Sequence, residues 1–286
     1  MHIQWYPGHM TKAMRMMSQQ MKVVDSVVYV LDSRAVMASI NPSFDELIGN
    51  KPTLYVLNKA DLAPLSEVEK WKKYFLSNNK KCISANSCQK GNSNIIISAL
   101  KEINAEKIER YSQKGITKTI RAMVIGIPNC GKSTLINSLI AKKRTVTGDR
   151  PGVTKGKQWV SIDTYIDLLD TPGTLYPDFS DQNKAINLAL IGSIREEILD
   201  IIELAKEMVA FLSKNYPEKL IEKYGLKQIS DDYYENLSAI AKRRGYIVRG
   251  GEYDLERTAL AVIQDFRKQA FGKIILEKKD DYDQPF

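Results

Sequence analysis

The stretch G-I-P-N-C-G-K-S at 126–133 has the G-x-x-x-x-G-K-S spacing that wraps backbone amides around a phosphate chain. Its glycines let N–H groups curl about a β-phosphate, and a helix opening at Lys132 adds favourable partial charge. Lys132 is placed to neutralise β- and γ-oxygens, and the Ser133 hydroxyl to bind Mg²⁺. Farther on, D-T-P-G at 170–173 has the form D-x-x-G. There Asp170 would hold the same ion, directly or through water, and the Gly173 amide would sense a γ-phosphate. Thr154, within R-P-G-V-T at 150–154, stands between the two and is the candidate second Mg²⁺ hydroxyl, closing as a switch over the nucleotide.

A base site is legible as well. In N-K-A-D (Asn58, Lys59, Ala60, Asp61), the carboxylate of Asp61 accepts from guanine N1–H and the exocyclic amine together. Adenine offers no such donor pair and would leave the carboxylate unpaired, so the contact selects guanine. Ser84-Ala85-Asn86 then supplies a backbone loop for guanine O6. The candidate GTP-binding set is therefore Asn58, Lys59, Ala60, Asp61, Ser84, Ala85, Asn86, Asn129, Cys130, Gly131, Lys132, Ser133, Thr134, Thr154 and Gly173, with Ser133, Thr154 and Asp170 on Mg²⁺.

Short apolar runs of strand type at 27–31, 53–57, 81–83, 121–125 and 165–169 place these motifs at strand ends. Helix-type segments at 66–77, 94–111 and 132–141 alternate with them, which implies a parallel sheet with helices on both faces. A methionine stripe with helical spacing (Met14, Met17, Met21) precedes the first strand and reads as core packing. Beyond 177 the pattern becomes helical, at 183–213, 218–224, 231–244 and 252–271. The expected fold class is α/β, with a nucleotide-binding domain over 1–178 and an all-helical domain over 179–286 that ends in a frayed polar tail from 278.

The motif order is unusual. Ordinary GTPases run phosphate loop, switch threonine, D-x-x-G, N-K-x-D and S-A loop, whereas here the base half comes first, as in a circularly permuted P-loop GTPase. The segment ending at Asp170 then leads directly into the helical region, so loss of a γ-phosphate can be transmitted across a few residues.

The 286 residues are 43% hydrophobic and 27% charged, which excludes wholesale disorder and fibrous architectures. No apolar run approaches the roughly 20 residues that cross a bilayer, and the N-terminus lacks a signal-peptide layout. A cytoplasmic protein with no membrane partner is expected. Cys82, Cys88 and Cys130, with His2 and His9, form no zinc-ligand set and no disulfide framework. The net charge of +8 is uneven: residues 1–178 carry 25 basic against 15 acidic side chains, and 179–286 carry 17 against 19. Lys142, Lys143, Arg144, Arg150, Lys155 and Lys157 crowd one stretch, and Lys242, Arg243, Arg244 and Arg249 with Tyr246 another. Basic clusters with an interleaved aromatic suit a nucleic-acid backbone, although either alone reads equally as a solvated helix face.

The opening W-Y-P-G-H-M at 5–10, the permuted motifs and G-G-E-Y-D-L-E-R at 250–257 together resemble the ribosome biogenesis GTPase A family, over nearly the whole chain. The resemblance implies a GTP hydrolase that matures the large (50S-type) ribosomal subunit, slow alone and stimulated there, docked in its GTP state and released by hydrolysis. Its partners would be the subunit or its precursor and rRNA, with no DNA. It makes Lys142, Lys143, Arg144, Lys242, Arg243, Arg244 and Arg249 candidate rRNA contacts and His9 the candidate catalytic residue. Thr174 stands where many GTPases carry the water-orienting glutamine and this family a hydrophobic residue. Asn129 occupies the position at which potassium-activated GTPases coordinate K⁺. After Asp32-Ser33-Arg34, where the family continues with a proline, this chain has Ala35-Val36. A nucleotide-gated rRNA-binding module with little turnover is the alternative. Small-subunit permuted GTPases, with a preceding β-barrel and a zinc site, fit poorly, because about 26 residues precede the first strand.

Overall fold

The computed structural model describes residues 3, 8–89, 92–147, 159–176 and 179–282, with side chains omitted at 92 and 142–147. Thr154, Arg150, Lys155 and Lys157 lie outside the described residues, as do the side chains of Lys142, Lys143 and Arg144. Two compact units form. One comprises Tyr6–Pro177 with Glu277–Phe286, the other Met1–Trp5 with Asp178–Leu276.

The first unit is built on a six-stranded sheet of order β3-β2-β1-β4-β6-β5. Its strands are β1 (Ser26–Asp32), β2 (Thr53–Asn58), β3 (Cys82–Ser84), β4 (Ile120–Ile125), β5 (Trp159–Asp163) and β6 (Ile166–Asp170). Pairing is parallel from β3 through β6. β5 is the exception, an antiparallel edge strand on β6 that the apolar-run pattern does not reveal. The inner strands β1, β2 and β4 are almost wholly buried, which explains their near-continuous Val/Ile/Leu/Met runs. Helices α1 (Gly8–Met21), α2 (Ser43–Ile48), α3 (Leu65–Ser77), α4 (Asn92–Ile103), α5 (Ala105–Ser112) and α6 (Lys132–Thr147) accompany the sheet. Of the stripe on α1, Met17 and Met21 are buried as expected and Met14 is half-buried, while Met10 joins the core.

The tail from 278 is not frayed over its described part. The Glu277 carboxylate accepts the backbone N–H groups of Met37 (2.6 Å) and Ala38 (3.2 Å), and the Glu277 carbonyl accepts Trp71 Nε1–H at 2.9 Å. Lys70 pairs with Asp280, and the Tyr282 ring lies 5.6 Å from that of Trp71. This strap, buried at Glu277 and open to solvent at Asp280 and Asp281, depends on partners about 200 residues away in sequence, and periodicity carries no trace of it.

The second unit is helical: α7 (Gln182–Leu190), α8 (Ile201–Asn215), α9 (Pro217–Tyr224), α10 (Tyr233–Arg244) and α11 (Leu255–Arg267). Asp181, Asp200, Asp232 and Asp254 each accept N–H groups at a helix start. These caps correct the single helix expected over 183–213: Gly192, at φ +83°, ends the first segment and Asp200 begins the next. Leu204, Met208 and Leu212 of α8, with Val262, Ile263 and Phe266 of α11, are buried in its core. Among the described residues no helix is long and apolar enough to cross a membrane.

Candidate functional site

Strand register brings the sequence motifs to one edge of the sheet. Asp32 pairs with Asn58, Leu57 with Ser84, and Val124 with Asp170, so all strand C-termini of the parallel core end together. Ligands of open α/β sheets bind at that edge.

The phosphate loop leaves β4 and enters α6. Gly126 has φ +152°, and a Cβ there would lie 2.4 Å from the Val30 carbonyl oxygen. Gly131, at φ +97°, would bring a Cβ within 2.3 Å of Asn58 Nδ2. Asn129 is left-handed at φ +58°, a conformation Asn tolerates better than most residues. Lys132 is buried and donates to the carbonyls of Gly126 (3.1 Å) and Ile127 (2.8 Å), which puts its charge inside the loop. Ser133 Oγ lies 3.2 Å from Asp170 Oδ2, both exposed on the rim. Two hard oxygen donors converging from separate motifs suit Mg²⁺. A cleft of about 530 Å³ is lined by Pro128, Asn129, Lys132, Ser133 and 170–173.

The base motif occupies the neighbouring cleft, of about 180 Å³, lined by Asn58, Lys59, Asp61, Asn86, Gly131 and Thr134 among others. Asn58 is buried and ties the two halves. Its Nδ2 donates to the Cys130 carbonyl at 2.8 Å, and its Oδ1 accepts the Ser87 N–H and hydroxyl at 3.2 and 2.6 Å. Lys59 is left-handed (φ +57°) and donates to Asn129 O at 2.6 Å. The Ala60 N–H donates to Ala85 O at 3.1 Å, holding the 84–86 loop beside Asp61, which is exposed and faces the open cleft. Ser87 escaped the motif analysis, although a hydroxyl directly after S-A-N is the signal that marks it.

Thr174 does not face the phosphate cleft. It is fully buried, its N–H donating to Gly126 O at 3.3 Å and its hydroxyl reaching Met14 Sδ at 3.7 Å. The Leu175 N–H donates to Met10 Sδ at 3.4 Å, so α1 packs against the two residues that follow Gly173, and His9 is exposed one residue before Met10. In the helical unit, Lys242 and Arg243 line a cleft of about 650 Å³ with Leu226, Lys227, Gln228 and Ala239. Arg249 is exposed. Arg244, by contrast, is bonded to Asp265 at 2.7 Å and lies over the Tyr224 ring.

A family model described as 50S ribosome-binding GTPase matches residues 121–239. The match begins at β4 and leaves out the base motifs at 58–86, which precede the phosphate loop here. Ribosome biogenesis GTPase A of Bacillus licheniformis is 40% identical over 98% of this chain and all of that protein. The protein of that name from Thermotoga maritima is 30% identical over 97% of this chain and 95% of its own. Among solved structures, GNP-bound YlqF from T. maritima superposes with a TM-score of 0.67 at 26% identity, covering 93% of this chain and 98% of that one. The sheet-edge arrangement and the full-length likeness agree: the chain belongs to the ribosome biogenesis GTPase A family and is a GTPase.

Proposed function

We propose that the protein hydrolyses GTP on a precursor of the large ribosomal subunit in the cytoplasm, docking in its GTP state and leaving after hydrolysis. The observation that carries this reading is the pair of adjoining clefts at one sheet edge, joined by Asn58 and Lys59 bonding to consecutive carbonyls of the phosphate loop. A base-selective site and a phosphate site held at fixed separation suit guanosine di- and triphosphates. The solved relatives, one bound to GNP and one to GDP, support it. The order of these motifs along the chain is that of a circularly permuted GTPase.

In this reading Asp61 takes the guanine edge, the 84–86 loop O6, and Lys132 the β- and γ-oxygens. Ser133, Asp170 and Thr154 hold Mg²⁺, which when bound offsets phosphate charge. Asn129 holds K⁺ between phosphates, where a monovalent charge takes the part of an arginine finger. His9 orients the attacking water, because α1 packs against the two residues that follow Gly173 and Thr174 is buried away from the cleft. Lys242, Arg243 and Arg249 contact rRNA phosphates, with Lys142, Lys143 and Arg144 adding a second patch. Arg244 acts as a brace for α10.

The test is GTP turnover in KCl and in NaCl, each with and without purified large subunits. Stimulation by subunits with a K⁺ preference is expected. Undetectable turnover under all four conditions would leave a nucleotide-gated rRNA binder, with which the absence of a glutamine after Gly173 is compatible.

A further inference from the structure

Asp32 closes β1 beside the base motif and is completely buried. Arg34, itself 3% exposed, grips it at both oxygens: Nε to Oδ1 at 2.9 Å, NH2 to Oδ2 at 2.8 Å, and the Arg34 backbone N–H to Oδ1 at 3.1 Å. The remaining acceptor capacity of Oδ2 takes Lys59 Nζ at 2.9 Å. Burial alone would raise this carboxyl, but the cations of Arg34 and Lys59 outweigh it and hold it at about 2. The group is a fixed anion at any working pH.

Lys59 is thereby fixed at both ends. Its backbone sits in a left-handed turn anchored by the Ala60–Ala85 bond, and its ammonium is shared between Asp32 and the Asn129 carbonyl. Lys59 lines the cleft that holds Asp61, Gly131 and Thr134, and its Cε carbon lies 4.0 Å from where a Cβ at Gly131 would stand. An unpinned lysine here would be a mobile, hydrated point charge with several rotatable bonds.

We propose that Asp32, fixed by Arg34, is a positioning residue for guanine-nucleotide binding. It stretches Lys59 along the base cleft, so that the stem forms an apolar wall for the purine ring while the ammonium holds the phosphate loop at Asn129. Base capture and loop geometry are then coupled through one ion pair. The inference rests on the guanine reading above.

The experiment is dissociation of a fluorescent GDP analogue from the full chain carrying Asp32→Asn, Lys59→Gln, or both, with folding followed by circular dichroism. D32N removes the charge and keeps the shape. It is expected to speed dissociation about 10-fold, equal to about 1.4 kcal/mol, with K59Q having an effect of similar size. The double variant should be no faster than the faster single variant, because both remove the same interaction. Folded D32N with the wild-type rate, or additive effects in the double variant, would overturn the proposal. If D32N does not fold, Asp32→Glu replaces it, since the added methylene displaces both oxygens from Arg34 and Lys59; the same outcomes decide. Failure of the wild-type chain to bind GDP would overturn the guanine reading itself, whereas wild-type binding with an unaltered variant rate overturns this inference alone.

Discussion

Gly173→Ala tests whether the D-T-P-G loop reports on the γ-phosphate. A Cβ at 173 would lie 2.6 Å from Pro128 Cα, 2.7 Å from Pro128 N and 2.9 Å from Ile127 C, all of them backbone atoms. Restoring an ordinary carbon contact means separating the two loops by about 0.8 Å at the closest pair. Pro128 has a locked φ and gives little, and Thr174 is fully buried, so the movement cannot simply be passed one residue along. Inserting a methyl into such packing costs about 1–3 kcal/mol. In the proposed reading the GTP-bound state keeps this close approach and the GDP-bound state relaxes it, so the cost falls on GTP binding. The ratio of GTP-analogue to GDP affinity should therefore drop by roughly 5- to 150-fold, at about tenfold per 1.4 kcal/mol, with GDP affinity nearly unchanged. Isothermal titration of both nucleotides in MgCl₂ measures the ratio, with a thermal melt as folding control. An unchanged ratio in folded protein would refute the contact argument.

Three further outcomes are expected. In the guanine reading, Asp61→Asn replaces an acceptor of the base's amine with a donor suited to a carbonyl at the same ring position, so GTP binding should fall by at least about 100-fold while xanthosine triphosphate binds better; competition against labelled GDP decides it. The Asp32 carboxyl is lowered from 3.8 to about 2 in the fold, so its stabilisation is fully present above about 4 and is lost as pH falls through 2. The stability gap between wild type and D32N in urea titrations should accordingly be constant from about pH 5 to 8 and shrink in acid. Ending the chain after Leu276 removes the Glu277 bonds to Met37 and Ala38 and the acceptor for Trp71. Charge-assisted bonds of this kind contribute about 1.5–3 kcal/mol each, and calorimetry should show the melting point lower by several degrees.

What the sequence discloses and what it hides follows from the range of the interactions. The strands β1, β2 and β4 are legible because burial on both faces writes them as apolar runs, and the phosphate loop because its glycines answer to local geometry. β5 escapes, since W-V-S-I-D is half-exposed and ends a run of residues outside any apolar pattern. The break between α7 and α8 was signalled locally by Gly192 and by Asp200 ahead of Glu203, but the long apolar stretch masked both. The Glu277 strap and the Asp32–Lys59 pair have no local signature, because each joins residues that only the sheet brings together.

The same sheet explains why motif order along the chain leaves the site intact. Asp32, Asn58, Ser84 and Asp170 are set by the register of parallel neighbours, and register depends on which strands pair rather than on which loop joins them. Cutting and rejoining loops therefore preserves the clefts and alters what hangs from each strand end. Beyond β6 the chain passes Gly173 and enters close packing: the Asn41 side chain donates to Thr174 O at 3.3 Å, the Thr174 hydroxyl meets Met14, and the Leu175 N–H meets Met10. With Thr174 and Leu175 buried, any shift of Gly173 must be taken up by α1 or by the loop ahead of α2. Interiors at this density transmit displacement rather than absorb it. In the reading proposed above, this packing joins a γ-phosphate contact at Gly173 mechanically to the helix that carries His9, and so links the nucleotide state to the proposed catalytic residue.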